Sequence, residues 1–217
     1  MDQSFCLASP DQEAYLDVFG VAPRASTRWE EDLHGFYSGP HIVAEMKRTD
    51  RDKDWPFATA LGVKLLEAGD TRGWLHIFHY ETLLRVAEKV PCPPEMIAKR
   101  PVLRLLAARH ERLEVALKSE IQFWQQLDSC RLRLYEKAVR PYMLAVKRAP
   151  GSDAPDLLAQ HHCRVKYAIE ILPQNPLRDY GLDRLISEAS ERAARFVPPG
   201  SLEWLPNPRE HFIGLLQ

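Results

Sequence analysis

The sequence predicts an α+β, mainly α fold: a small N-terminal unit of strands and helices over residues 1–90, then a helical bundle over residues 91–217 with one long helix and a proline-rich C-terminal tail. Three observations lead there. Residues 14–21, AYLDVFGV, alternate as a strand does; the span from Val102 to Arg140 contains neither Gly nor Pro; and PCPPEMIAKRP at 91–101 breaks the chain between the two.

The elements follow in order. In the first strand Tyr15, Asp17 and Phe19 share one face and Leu16 and Val18 the other, and Gly20 and Pro23 end it. Between Arg24 and Gly39 the pattern fits a short helix and a strand pair equally well. Pro40 suits the first position of a helix running into Ile42, Val43 and Met46, yet Ile42-Val43-Ala44 suits a strand too. Asp54-Trp55-Pro56 reads as a helix start, with Asp54 as cap, and Phe57, Leu61, Leu65 and Ala68 continue it to Gly69. Tyr80 to Val90 is a second helix.

Beyond the proline break, Leu113, Leu117, Trp124, Leu127, Leu134 and Ala138 keep a seven-residue apolar repeat that Glu120 and Arg131 interrupt. A helix of that span is on the order of 55 Å long and calls for a second helix, or a partner chain, along its length. The stretch 148–155, RAPGSDAP, reads as a linker, Asp156 to Leu172 as an antiparallel returning helix, and Leu182 to Phe196 as a further amphipathic helix. The tail from Pro198, with Trp204 and Phe212, is expected to pack over the bundle.

Composition narrows the function classes. With 29 Lys and Arg against 30 Asp and Glu, the formal net charge is -1, so no whole-molecule field draws the chain to nucleic acid or membranes. The four cysteines, Cys6, Cys92, Cys130 and Cys163, lie far apart with no C-x-x-C spacing, which fits a reducing compartment. The N-terminus lacks the basic region and apolar core of a signal peptide, and no apolar run reaches the length of a membrane span. A soluble cytoplasmic protein with no membrane partner is expected.

The chemistry-bearing stretch is Gly39 to Gly62, where Glu45, Lys47, Arg48, Asp50, Arg51, Asp52, Lys53 and Asp54 crowd between two apolar runs. With Asp17 upstream, it resembles the C-terminal part of the nucleotidyltransferase-fold family of the minimal or abortive-infection type. In that family a strand bearing an Asp (here LDVFG, Asp17) is followed by a helix bearing a Lys (VAEMK, Lys47). An R-x-K-D turn (RDKD, with Arg51, Lys53 and Asp54) then opens the next helix. The resemblance covers residues 14–66. It implies transfer of a nucleotide to a hydroxyl, with Mg2+ held by carboxylates that include Asp17. Lys47, Arg51, Lys53 and Asp54 would serve the phosphates of a nucleoside triphosphate or a nucleic acid. The Gly-Ser pair leading into D-x-D on an earlier strand, which the family carries, has no counterpart ahead of Asp17, and a catalytically degenerate scaffold is the form expected.

Two other readings use the same chain. If residues 42–47 form a strand, Asp17 with Glu45 and Lys47 makes the D...E-x-K pattern of metal-dependent nucleases, Glu45 and Lys47 falling on one face. Alternatively the protein is a non-enzymatic interaction module whose long helix serves self-association or a protein partner. Other candidates read as structure. His76 and His79 fit packing histidines, His161-His162-Cys163 diverge by about 100° per residue on a helix and do not converge on a metal. The basic residues Lys99-Arg100, Arg104, Arg109 and Arg112, and again Arg131 to Arg148, alternate with glutamates as a solvated face does.

Overall fold

The computed structural model describes residues 4–8, 15–19, 29–152 and 156–212, with residues 4–8, 15–19 and 29–30 described by their backbone alone. Strands β1 (Ser4–Ala8) and β2 (Tyr15–Phe19) pair antiparallel, with Cys6 opposite Asp17. The ambiguous piece before Gly39 holds both of its expected forms: a 3-10 turn, Trp29–Asp32, leads into a two-residue hairpin of β3 (Leu33–His34) and β4 (Tyr37–Ser38).

Pro40 then opens helix α1 (Pro40–Met46). Proline fits there because its missing N–H would have had no intrahelical partner. Gly39, the N-cap, has no side chain to cap with, and Asp32 takes over that role: its Oδ2 accepts the Ile42 amide at 3.1 Å. A Cβ on Gly39 would run into Asp32, so the cap requires glycine at that position. Residues 42–46 are therefore helix, and the strand required by the nuclease pattern is absent. On a helix Glu45 and Lys47 point about 200° apart, so they do not share a face.

Helix α2 (Asp54–Glu67) begins where Asp54-Trp55-Pro56 indicates, with Lys53 as N-cap and Asp54 one residue inside. It crosses the 3-10 turn Thr71–Leu75 at Gly62 and Gly73, where a Cβ on either would strike the other's carbonyl. Two glycines here permit backbone contact that no other residue pair would. Helix α3 (Tyr80–Ala87) is capped by His79 Nδ1, which accepts the Thr82 amide. Helix α4 (Pro94–Lys99) starts inside the proline run.

The long helix departs from expectation at its start. Val102 to Arg140 is not continuous: α5 (Leu103–Ala107) stops, and α6 (Leu113–Arg148) begins anew and runs 36 residues, through Pro141. The break is a left-handed C-terminal turn built on Arg109 at φ 48, with the His110 amide reaching back to the Leu105 carbonyl at 2.9 Å. Helices α7 (Leu157–Ile171) and α9 (Leu182–Ala193) both pack on α6, with α8 (Pro176–Tyr180) between them. The tail packs over the bundle as two 3-10 turns, Ser201–Trp204 and Pro208–Phe212, which bury His211 and Phe212.

The N-terminal half of α6 is the spine. Its early residues Leu113, Ala116 and Leu117 join a core of Trp74, Ile77, Leu83 and Leu103, while Phe123, Trp124 and Leu127 join Trp55, Phe78, Leu177, Leu185 and Phe212. The first of these cores spans residues on both sides of position 91. Among the described residues no helix is long and apolar enough to cross a membrane.

Candidate functional site

The inner side of helix α1, His41 and Glu45, together with Arg48 just past its C-cap, lines a cavity of about 360 Å3 that is also lined by Glu31, Arg72, Lys99, Arg100, Glu120 and Trp124 and by Asn207, Glu210 and His211 of the tail. That volume falls at the small end of ligand pockets. Arg48 is its central cation. The side chain is 9% exposed, Nη2 donates to the Leu75 carbonyl at 3.1 Å, and the guanidinium lies 5.2 Å from the Trp124 ring centroid. Its Nε has no hydrogen-bond partner, and among the described residues no carboxylate lies within ion-pair distance of it. Burial pushes the Arg48 pKa below its usual value, against the pull of Glu45 and Glu120.

A directed chain of hydrogen bonds starts at Arg48. Its Nη2 stands 3.4 Å from His76 Nδ1, and His76 Nε2 is 2.7 Å from His41 Nδ1. Arginine can only donate, so His76 Nδ1 accepts, His76 Nε2 donates to His41 Nδ1, and the remaining His41 proton sits on Nε2; these tautomers are assigned from the network. His41 Nε2 lies 3.9 Å from Glu45 Oε1. Burial holds His76 well below the ordinary histidine pKa, with Arg48 and His41 adding to it. His41 is lowered too, by burial first, while Glu45 opposes. Both rings are therefore neutral at physiological pH. The chain leaves a donor, His41 Nε2–H, at the cavity beside the Arg48 guanidinium, so the arrangement can present donors to an anion.

Two other cations of the wall, Arg100 and Arg72, are committed to carboxylates. Arg100, 1% exposed, makes a double contact with Glu120 at 2.8 to 3.1 Å and donates to the carbonyls of Trp74 and Ile77 at 2.9 Å. Arg100 is thus not part of a solvated face, and Glu120 is not a flaw in the heptad; each exists for the other. Arg72 bridges Asp32 and Asp70 at 2.9 and 2.6 Å, and its hydrogen bond lowers the Asp70 pKa.

The outer side of α1 leads into the RDKD turn, which is a closed ionic cluster. Asp54, 2% exposed, accepts from Thr49 Oγ1 at 2.7 Å, Arg51 Nε at 2.8 Å and Lys47 Nζ at 3.3 Å. Burial raises the Asp54 pKa, but the hydrogen bonds from Thr49 and Arg51 and the charges of Lys47 and Arg51 outweigh it and leave the carboxyl below its usual value. The turn is docked on α6 through the Asp50 amide to Asp128 at 3.0 Å and Gln125 to Asp52 at 2.7 Å. Lys53 is exposed.

Of the residues singled out in the sequence, the structure gathers Lys47, Arg51 and Asp54 in that cluster, and only Glu45 lines the cavity. Asp17 lies on β2, with its side chain outside the described residues. His41, Arg48 and Arg100 line the cavity, with His76 behind them bonded to His41 and Arg48, and none of them follows from a sequence motif; the one local signal is His41 and Glu45 at i,i+4 on a Pro-initiated helix. The carboxylate expected to hold Mg2+, Asp17, has its side chain outside the described residues. Asp54 is saturated by donors, Asp52 is held by Gln125, and no group of three His, Cys, Asp or Glu side chains among the described residues is arranged as a metal cage. No protein family matches the chain, and comparison with curated proteins and with solved structures gives no match either.

Proposed function

We propose that this protein is a nucleotidyltransferase-like scaffold that binds a small phosphate-bearing ligand, a nucleotide in preference to a nucleic acid, in the cavity beside α1. The observation that carries the reading is Arg48: a buried guanidinium with a spare donor, no ion-pair partner among the described residues, and a cavity beside it. A buried charge without its partner is costly, and proteins retain one where a ligand supplies the counter-charge. Lys99, at the same wall, adds a second cation. The cavity's size favours a mononucleotide over a polymer.

In this reading the RDKD turn is the clamp that fixes the end of α1. Asp54 ties Lys47, Thr49 and Arg51 together on either side of the chain that carries Arg48, and α6 holds the turn from below. The test is thermal melting with nucleoside mono-, di- and triphosphates and inorganic phosphate, each with and without Mg2+. Ligand at a hundredfold excess over Kd stabilises the native state by about 2.7 kcal/mol. The midpoint should rise for at least one nucleotide, and the rise should vanish in Lys99→Ala and Arg48→Gln but survive Lys53→Ala. Loss with Lys53→Ala alone would move the phosphate to the turn. No rise with any of the ligands would remove the reading.

A further inference from the structure

The charges of the cavity beside α1 fall into an inner set and a set at its mouth. Inside, Arg100 and Arg72 are spent on Glu120, Asp32 and Asp70, and Glu45 stands 3.9 Å from His41. Arg48 is left. Its Nη2 is within hydrogen-bond distance of the Leu75 carbonyl and of His76, and its Nε is sealed from solvent. Nη1 makes no hydrogen bond among the described residues and is not sealed, so it is the donor open to the cavity. Three lining residues are exposed and mark the mouth: Glu31 from the first 3-10 turn, Lys99 from α4 and Glu210 from the last 3-10 turn. The open donor inside is a guanidinium, and the mouth sets two carboxylates against one ammonium.

Resting on the proposed binding of a nucleotide at Arg48, we infer that the ligand is a nucleoside monophosphate whose base bears an amino group, with the phosphate at Arg48 and the amino edge of the base at Glu31 and Glu210. A phosphomonoester carries about -1.5 to -2 charges at neutral pH, which Arg48 and Lys99 together offset. Further phosphoryl groups would extend from Arg48 toward the mouth, where Lys99 is already engaged and the two glutamates repel them. The same carboxylates can only accept hydrogen bonds, so they select a base edge that donates. Guanine, adenine and cytosine each present an exocyclic amine. Uracil has a carbonyl oxygen on either side of its one ring N–H, and those oxygens would face carboxylates. Asn207 Nδ2 reaches Glu210 Oε1 at 3.3 Å, which orients that carboxylate and leaves its other oxygen to the ligand. Glu31 and Glu210 are thus specificity-determining residues brought to one mouth from opposite ends of the chain.

The experiment is calorimetric titration of the full chain with GMP, AMP, CMP, UMP and GTP, each with and without Mg2+. GMP, whose amine and ring N–H donate side by side, should bind at least about tenfold more tightly than UMP and than GTP, with AMP and CMP between. Glu31→Ala with Glu210→Ala should bring GMP down to the affinity of UMP. Both residues are exposed, so that variant should keep the wild-type melting midpoint. Arg48→Gln should instead weaken all four monophosphates alike. Nucleotide binding that Arg48→Gln abolishes but that shows no preference for an amino-bearing base, or that favours GTP over GMP, overturns the inference and leaves the cavity reading standing. A preference that survives the double glutamate variant overturns it as well. Failure of all five ligands to bind removes the cavity reading and this inference with it.

Discussion

At the scale of single residues, the folded chain rests on a few buried charges whose partners are far off in sequence. Glu120 and Arg100 are each 1% exposed and bonded to one another. Removing the carboxylate leaves an uncompensated guanidinium in the core, so Glu120→Ala should cost about 3–5 kcal/mol of unfolding free energy in urea denaturation. Asp54→Ala frees three donors at once and should cost about 1–3 kcal/mol by the same measurement. The histidine pair gives a pH signature. The folded pKa values of His41 and His76 lie below the unfolded value near 6.5, so the unfolded chain binds protons first as pH falls. Stability is fully present above about pH 6.5 and should decline below it, well before Asp54 and Asp70, lowered from 3.8, begin to protonate. Melting curves from pH 8 to pH 5 check this, and replacing His76 with Gln should flatten the slope.

Elements were legible in proportion to how local their signals are. Pro40 and Asp54-Trp55-Pro56 announce α1 and α2 because a proline in a first turn needs no tertiary partner. The alternation at residues 15–19 likewise gives β2. The break between α5 and α6 has no such signal, since Arg109 occupies a left-handed turn position that glycine would normally hold. Arg109→Gly should therefore raise stability by about 1 kcal/mol, read as a higher melting midpoint. Glu120 and Arg131 looked like interruptions of an apolar seam. Their partners, Arg100 and Asp128, are set by how α4 and α6 meet or by a turn of helix beneath, and spacing alone does not show a partner across a loop. The cavity is hidden for that reason: its residues come from the first 3-10 turn, α1 and the residue pair after it, the 3-10 turn before α3, α4, α6 and the tail, and only His41, Glu45 and Arg48 fall in the charged stretch 39–62.

At the scale of the molecule, one cavity is lined jointly by α1, by the tail and by α6, which contributes Trp124 and Glu120. His211 packs on Trp124 with the rings tilted at 56° and 4.8 Å between centroids, and Phe212 is 2% exposed. Phe212→Ala should thus lower stability by about 3 kcal/mol, and any ligand of the cavity should bind less tightly as its wall loosens. In the proposed reading Arg48 awaits an anion. Calorimetric titration of the wild type and of Arg48→Gln with the nucleotide giving the largest thermal shift tests it most directly, provided the variant keeps the native circular dichroism. A loss of affinity of at least about tenfold, or about 1.4 kcal/mol, is expected for the variant. Equal affinities for the two proteins, or no binding by the wild type, would contradict the account.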